Sequence, residues 1–192
     1  MRNWCSTLLL GCILAGLGIS RATPPIAARP KVRTITAFVR VTPANFQQEV
    51  QNAVSMLRQA QRAYEQQGYE VETIRITTQP FAEIVYDVRN EQAMGFYRDL
   101  NRIAERESFI VSLGPAMLAD TDAAAKADLL ARVLAENDRL NGSVIVAQQD
   151  GVHWNAVRAA AKAVKYLSEH SAGSEATRLL SHGGRTQFFC GA

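Results

Sequence analysis

Between Gln148 and Trp154 the chain reads QQDGVHW, which sets a carboxylate at Asp150, an imidazole at His153 and an indole at Trp154 inside one short stretch. A general base beside a stacking aromatic is the chemistry such a stretch could perform. The same residues also fit a helix start, with Asp150 as the capping side chain and Trp154 in the core. A second stretch, GPAMLADTD from Gly114 to Asp122, carries Asp120, Thr121 and Asp122, oxygen donors able to ligate a hard cation or orient a substrate hydroxyl. Capping of the following helix explains them as simply. Gly114 would permit close backbone approach to a ligand, or would only turn the chain at a strand end.

Near the end, His182-Gly183-Gly184-Arg185 could form a turn that admits an anion, with Cys190 as a thiol nucleophile. A cysteine on an apolar strand is more often an inert small hydrophobe. Arg33 and Arg75 stand on strands otherwise poor in charge, where a guanidinium can grip a carboxylate or phosphate or can simply lie on a solvated sheet face. The histidines, His153, His170 and His182, have no metal-ligand spacing, and phosphate-loop, dinucleotide and nucleophile-elbow motifs are lacking. The sequence therefore predicts no metal and no cofactor, and it names no reaction.

These residues need a scaffold. At 192 residues, 47% hydrophobic and 20% charged, the chain has ordinary globular composition and room for one core. Its start resembles a secretory signal: Arg2, an uncharged run over residues 8–19, then Ser20-Arg21-Ala22 with small residues where signal peptidase cuts. That divides the chain into a signal peptide over 1–22, a proline-rich linker over 23–31 and a domain over 32–192. A lipoprotein-like box ending at Cys12 and an accidental leader are the alternatives. An acting signal implies a secreted or periplasmic protein, and a non-acting one a cytoplasmic protein. Without Arg2 and Arg21, nineteen cations face eighteen acids, a formal net charge of +1. No basic run interleaved with aromatics remains, so neither nucleic acid nor a membrane beyond the export signal is expected as a partner. Cys190 is the one thiol after the leader, which excludes an internal disulfide.

From Lys31 strands and helices alternate. Strands are expected over 32–41, 69–77, 109–113 and 144–147. Helices are expected from Thr42-Pro43 to Gln67, over 91–105, from an Asp122 cap to Arg139, and over 152–170. Gln79-Pro80 should break the second strand, and Asn141-Gly142 should end the third helix. Residues 186–190 read as a further strand at a sheet edge. Strand–helix–strand repetition predicts an α/β fold with a mostly parallel sheet and right-handed crossovers, its ligands collecting at the carboxyl edge.

With VRTITAFVRV at the start, FIVSLGPAML in the middle and SHGGRTQFFCGA at the end, residues 32–192 resemble the uncharacterised family called domain of unknown function 711. The resemblance implies a fold like that of the pyruvate formate-lyase superfamily, an α/β barrel of two half-barrels, of which this chain would be the first. It brings no reaction, since no radical-glycine motif is present, and it implies a soluble cytoplasmic protein, from which the leader departs. Two functions stay open. One is an enzyme-like domain binding a small polar or anionic metabolite. The other is a non-catalytic solute-binding or assembly subunit, or a truncated inactive fragment, completed by a second copy or by a missing C-terminal half.

Overall fold

The computed structural model describes residues 29–85, 90–171 and 188–191. The order is β1 (Val32–Val39), α1 (Phe46–Gln66), β2 (Val71–Pro80), α2 (Phe81–Val85), α3 (Asn90–Arg106), β3 (Ile110–Gly114), α4 (Ala125–Ala135), β4 (Leu140–Ile145), a small hairpin of β5 (Ala147–Gln148) and β6 (Gly151–Val152), α5 (Trp154–His170), and β7 (Phe188–Gly191). Five strands form one parallel sheet in the order β1-β2-β3-β4-β7, so spatial order follows chain order and β7 lies at an edge. The predicted α/β class and parallel sheet are what the chain adopts.

Period-two alternation divides the strands between two environments. Ala37, Ile74, Ile76, Val111, Leu113, Leu140 and Val144 enter the buried core with Val50, Leu57, Leu100, Leu130 and Leu134 of the helices. A strand sequence in which every second residue is Thr, Ser, Asn or Arg leaves the other face polar: Thr34, Thr36 and Phe38 on β1, Thr73, Arg75 and Thr77 on β2, Ser112 on β3, and Asn141 and Ser143 on β4. Because sequential parallel strands joined by right-handed crossovers carry their helices on one side, the apolar positions share the helix side.

Several boundaries differ from expectation, each for a local reason. β2 continues through Gln79-Pro80 with a register shift after Thr77. Its ladder is extended by the Gln79 side chain, whose amide accepts the Val41 N–H (3.0 Å) and donates to the Val41 carbonyl (2.6 Å), mimicking a strand rung. Proline can stand there because the strand ends on it. α1 starts at Phe46 and not at Thr42-Pro43. Asn45 Oδ1 accepts from both the backbone N–H and the hydroxyl of Thr42, holding a turn before the helix. The outer half of α1 overhangs its support, so Ala63 and Tyr64, which continue its apolar spacing, are exposed.

The largest correction is at Asn141-Gly142, expected as a helix stop. α4 ends at Ala135, and both residues lie inside β4. Glycine is needed at 142 because a Cβ there would come within 2.7 Å of Leu130 Cδ1. The motif serves close helix–sheet packing, not chain reversal.

Candidate binding face

The rim loops at the carboxyl edge bind one another. After β3, Asp122 Oδ2 accepts the N–H groups of Leu118 (2.7 Å) and Ala119 (3.1 Å), and Oδ1 pairs with Lys126. Burial works to raise the pKa of this carboxyl, but the Lys126 ammonium and the two backbone donors prevail and hold it below the ordinary value. Asp122 is thus a loop clasp. The first residue before α4 is Ala124, with no side-chain cap.

Asp120 acts on a different helix from the one expected. Its Oδ1 accepts the N–H groups of Asn155 (2.6 Å) and Ala156 (3.2 Å) in the first turn of α5, and the Asn155 amide returns hydrogen bonds to the Asp120 and Asp122 carbonyls at 3.0 Å each. Gln148 also donates to the Leu118 carbonyl. The loops after β3 and β4 are therefore tied together, and Asp120 and Asp150 share the carboxyl edge.

Asp150 does not cap α5; it lies in the hairpin turn, 3.0 Å from His153 Nε2. The imidazole is 4% exposed and its Nδ1 is buried without a partner. Asp150, 71% exposed, is the member of the pair that faces solvent. Trp154, expected in the core, is 63% exposed, because α5 buries the small residues Ala156, Ala159, Ala160 and Ala163 and turns position 154 outward. Gly114 is a packing glycine: a Cβ would lie 2.3 Å from the Gln79 carbonyl oxygen. A depression of about 750 Å³ adjoins the rim, lined by Ile145, Ala147, Gln148, Gln149 and Asp150.

The two arginines part company. Arg33 alternates with the residues of the polar face and lies exposed on the other side of β1, whereas Arg75 pairs in register with Thr36 and Ile110 on the polar face. Arg75 Nε is buried with no hydrogen-bond partner. The strand positions on that face, among the described residues, hold no carboxylate.

One further row was not picked out from sequence. Register places Phe38, Thr77, Ser112 and Asn141 side by side across β1, β2, β3 and β4. Asn141 is 4% exposed, and Thr77 and Ser112 beside it are half-buried. Phe38 at the end of the row is 82% exposed. The available signal was the polar alternation itself. A Thr or Ser at every second position of a strand in a parallel sheet marks a face that meets something other than a core.

His182 and Arg185 lie outside the described residues, as do the leader and most of the proline-rich linker. Cys190 is in β7, beside Val144 in register. Among the described residues no three His, Cys, Asp or Glu side chains group as metal ligands, and no helix is long and apolar enough to cross a membrane.

A single parallel α/β sheet with one face packed under helices and the other lined largely by polar side chains defines an α/β domain with a candidate binding face. Residues 27–183 match the family described as Uncharacterised ACR (DUF711), and the chain belongs to that family. No curated protein matches the chain.

Proposed function

We propose that the domain binds a small anionic metabolite on the polar face of its sheet, below the carboxyl edge, with Arg75 as the charge-pairing group. The observation that carries this reading is the guanidinium's lack of a partner: its Nε is buried and unpaired, and no acid stands at the described strand positions of the face. An unsatisfied buried donor on a cation is costly, and a carboxylate or phosphate supplies both the countercharge and the acceptor geometry that guanidinium prefers. The Thr36 and Thr77 hydroxyls flank it. The carboxylates of Asp120, Asp122 and Asp150 are engaged in hydrogen bonds, so binding is proposed here and a reaction is not.

The test is titration of the chain with inorganic phosphate and short carboxylates by calorimetry. Arg75→Ala should weaken every anion that binds, by about tenfold or more, and Arg75→Lys should restore part of it. Binding that is indifferent to Arg75 would overturn the reading.

Exposure of Phe38 on the edge strand of the same face favours a second reading, that of an assembly subunit whose sheet is covered by a second copy or a C-terminal half-barrel. A dimer in light scattering that dissociates on Phe38→Ser, with no anion binding, would favour it.

The leader supports export. Arg2, the uncharged run over residues 8–19 and Ser20-Arg21-Ala22 argue for a secreted or periplasmic protein cut after Ala22. N-terminal sequencing from the native host should read Thr23 first, and an intact Met1 on a cytoplasmic product would refute it.

A further inference from the structure

Independently of the anion-binding reading, we infer that two copies of this chain join through β1, antiparallel about a two-fold axis beside Thr36, so that their sheets continue into one another. β1 pairs with β2, and among the described residues no strand stands on its other side. Sheet edges are ordinarily blunted by shortness, proline, lysine or a bulge, and an edge without such a device is a template for another strand. β1 has none of them: it runs eight residues, VRTITAFV, in continuous register with β2. Phe38, near its end, is the most exposed large apolar side chain among the described residues.

A second β1 is the strand that fits. The Val32 N–H donates to the Glu70 carbonyl at 2.8 Å, so every second residue from Val32 turns its backbone groups toward β2, and Ile35 and Ala37 turn theirs to the open edge. An axis beside Thr36 exchanges ladder hydrogen bonds between Ile35 and the partner's Ala37, and it sets Thr36 against the partner's Thr36 as a non-hydrogen-bonded pair. On the polar face Phe38 then lies opposite the partner's Thr34, an aromatic against a β-branched residue. Arg33 meets the partner's Val39 and Arg40 the partner's Val32, so no cation faces a cation. The opposite edge fits less well: β7 offers four described residues, and β1 joined to β7 is a head-to-tail contact that closes only where its rotation completes a ring. The two-fold arrangement closes at two copies and leaves the polar face of both sheets open.

Analytical ultracentrifugation of the full chain should show a dimer. On oxidation, Thr36→Cys should give a disulfide-linked dimer that the unsubstituted chain does not, because a non-hydrogen-bonded pair holds its Cα atoms about 4.5 Å apart, inside the disulfide range. Two sheets covering one another face to face stand about 10 Å apart, too far for that bond, so the crosslink separates edge pairing from a covered sheet. Thr36→Lys sets two ammonium groups against one another at an exposed position, and it should weaken the dimer by about fivefold or more with an unchanged circular dichroism spectrum. A chain that stays monomeric, or a dimer that fails either substitution, would overturn the β1 pairing. Anion binding through Arg75 is read by calorimetry and stands or falls separately.

Discussion

The carboxylate of Asp120 closes the amino end of a helix to which it does not belong: it accepts the backbone N–H of Asn155 at 2.6 Å across the rim. His153, which precedes α5, makes no side-chain cap, so the first-turn donors of that helix depend on the neighbouring loop. Asp120→Ala should lower the free energy of unfolding by about 1 kcal/mol, as loss of an N-cap does, and urea denaturation measures it. Asp120→Asn should lose less, because its side-chain carbonyl still accepts.

Asp122 gives a pH dependence of definite sign. Its folded pKa is depressed, so its stabilising contribution is fully present above the unfolded value near pH 4 and is lost as pH falls through the lower folded value. Stability should therefore decline on acidification below about pH 4. Asp122→Asn should flatten part of that decline, visible in denaturation midpoints measured from pH 6 to pH 2.5.

Two glycines separate backbone from side-chain constraint. A Cβ at Gly114 would meet backbone atoms of Gln79 and Pro80 at 2.3 to 2.7 Å, whereas one at Gly142 would meet the Leu130 side chain, which can change rotamer. Gly114→Ala should destabilise by about 3 kcal/mol and Gly142→Ala by about 1 kcal/mol, within the range of overpacked cores. Equal losses in thermal unfolding would show that the end of β2 yields as readily as a leucine.

Tyr97 is fully buried, stacked on Phe81 with centroids 5.4 Å apart, and its hydroxyl has no partner. Burial pushes its phenol far above the ordinary tyrosine pKa. Tyr97→Phe should be neutral or stabilising by about 1 kcal/mol, because it removes an unsatisfied group and keeps the ring. Ultraviolet titration should show one tyrosine that stays protonated to the pH of unfolding.

The architecture was legible because hydrophobic period and helix length are local properties. β1, α3 and α5 lie within three residues of where patterning puts them, and β7 falls at the expected edge. Asn141-Gly142 misled because Asn-Gly is a turn signal in isolation, while here Leu130 on a distant helix demands the glycine. The acidic rim residues were visible as capping residues, but not which helix each would serve, since Asp120 and Asn155 are joined only by the fold. Arg75 was recognised by type; its separation from Arg33 is a matter of strand parity. The row through Thr77, Ser112 and Asn141 was missed because no single strand contains it. It exists only once three registers are fixed.

The sequential strand order has a further consequence for how this chain can change over time. Each strand divides its alternate residues between two environments that do not touch: one set packs under the helices, the other forms the opposite face of the sheet. Drift on the polar face can alter that surface one residue at a time without opening a cavity beneath the helices, and a helix can be remodelled without altering that surface. The sheet works as a partition between core and surface, and a single threonine-to-valine change falls on one side of it.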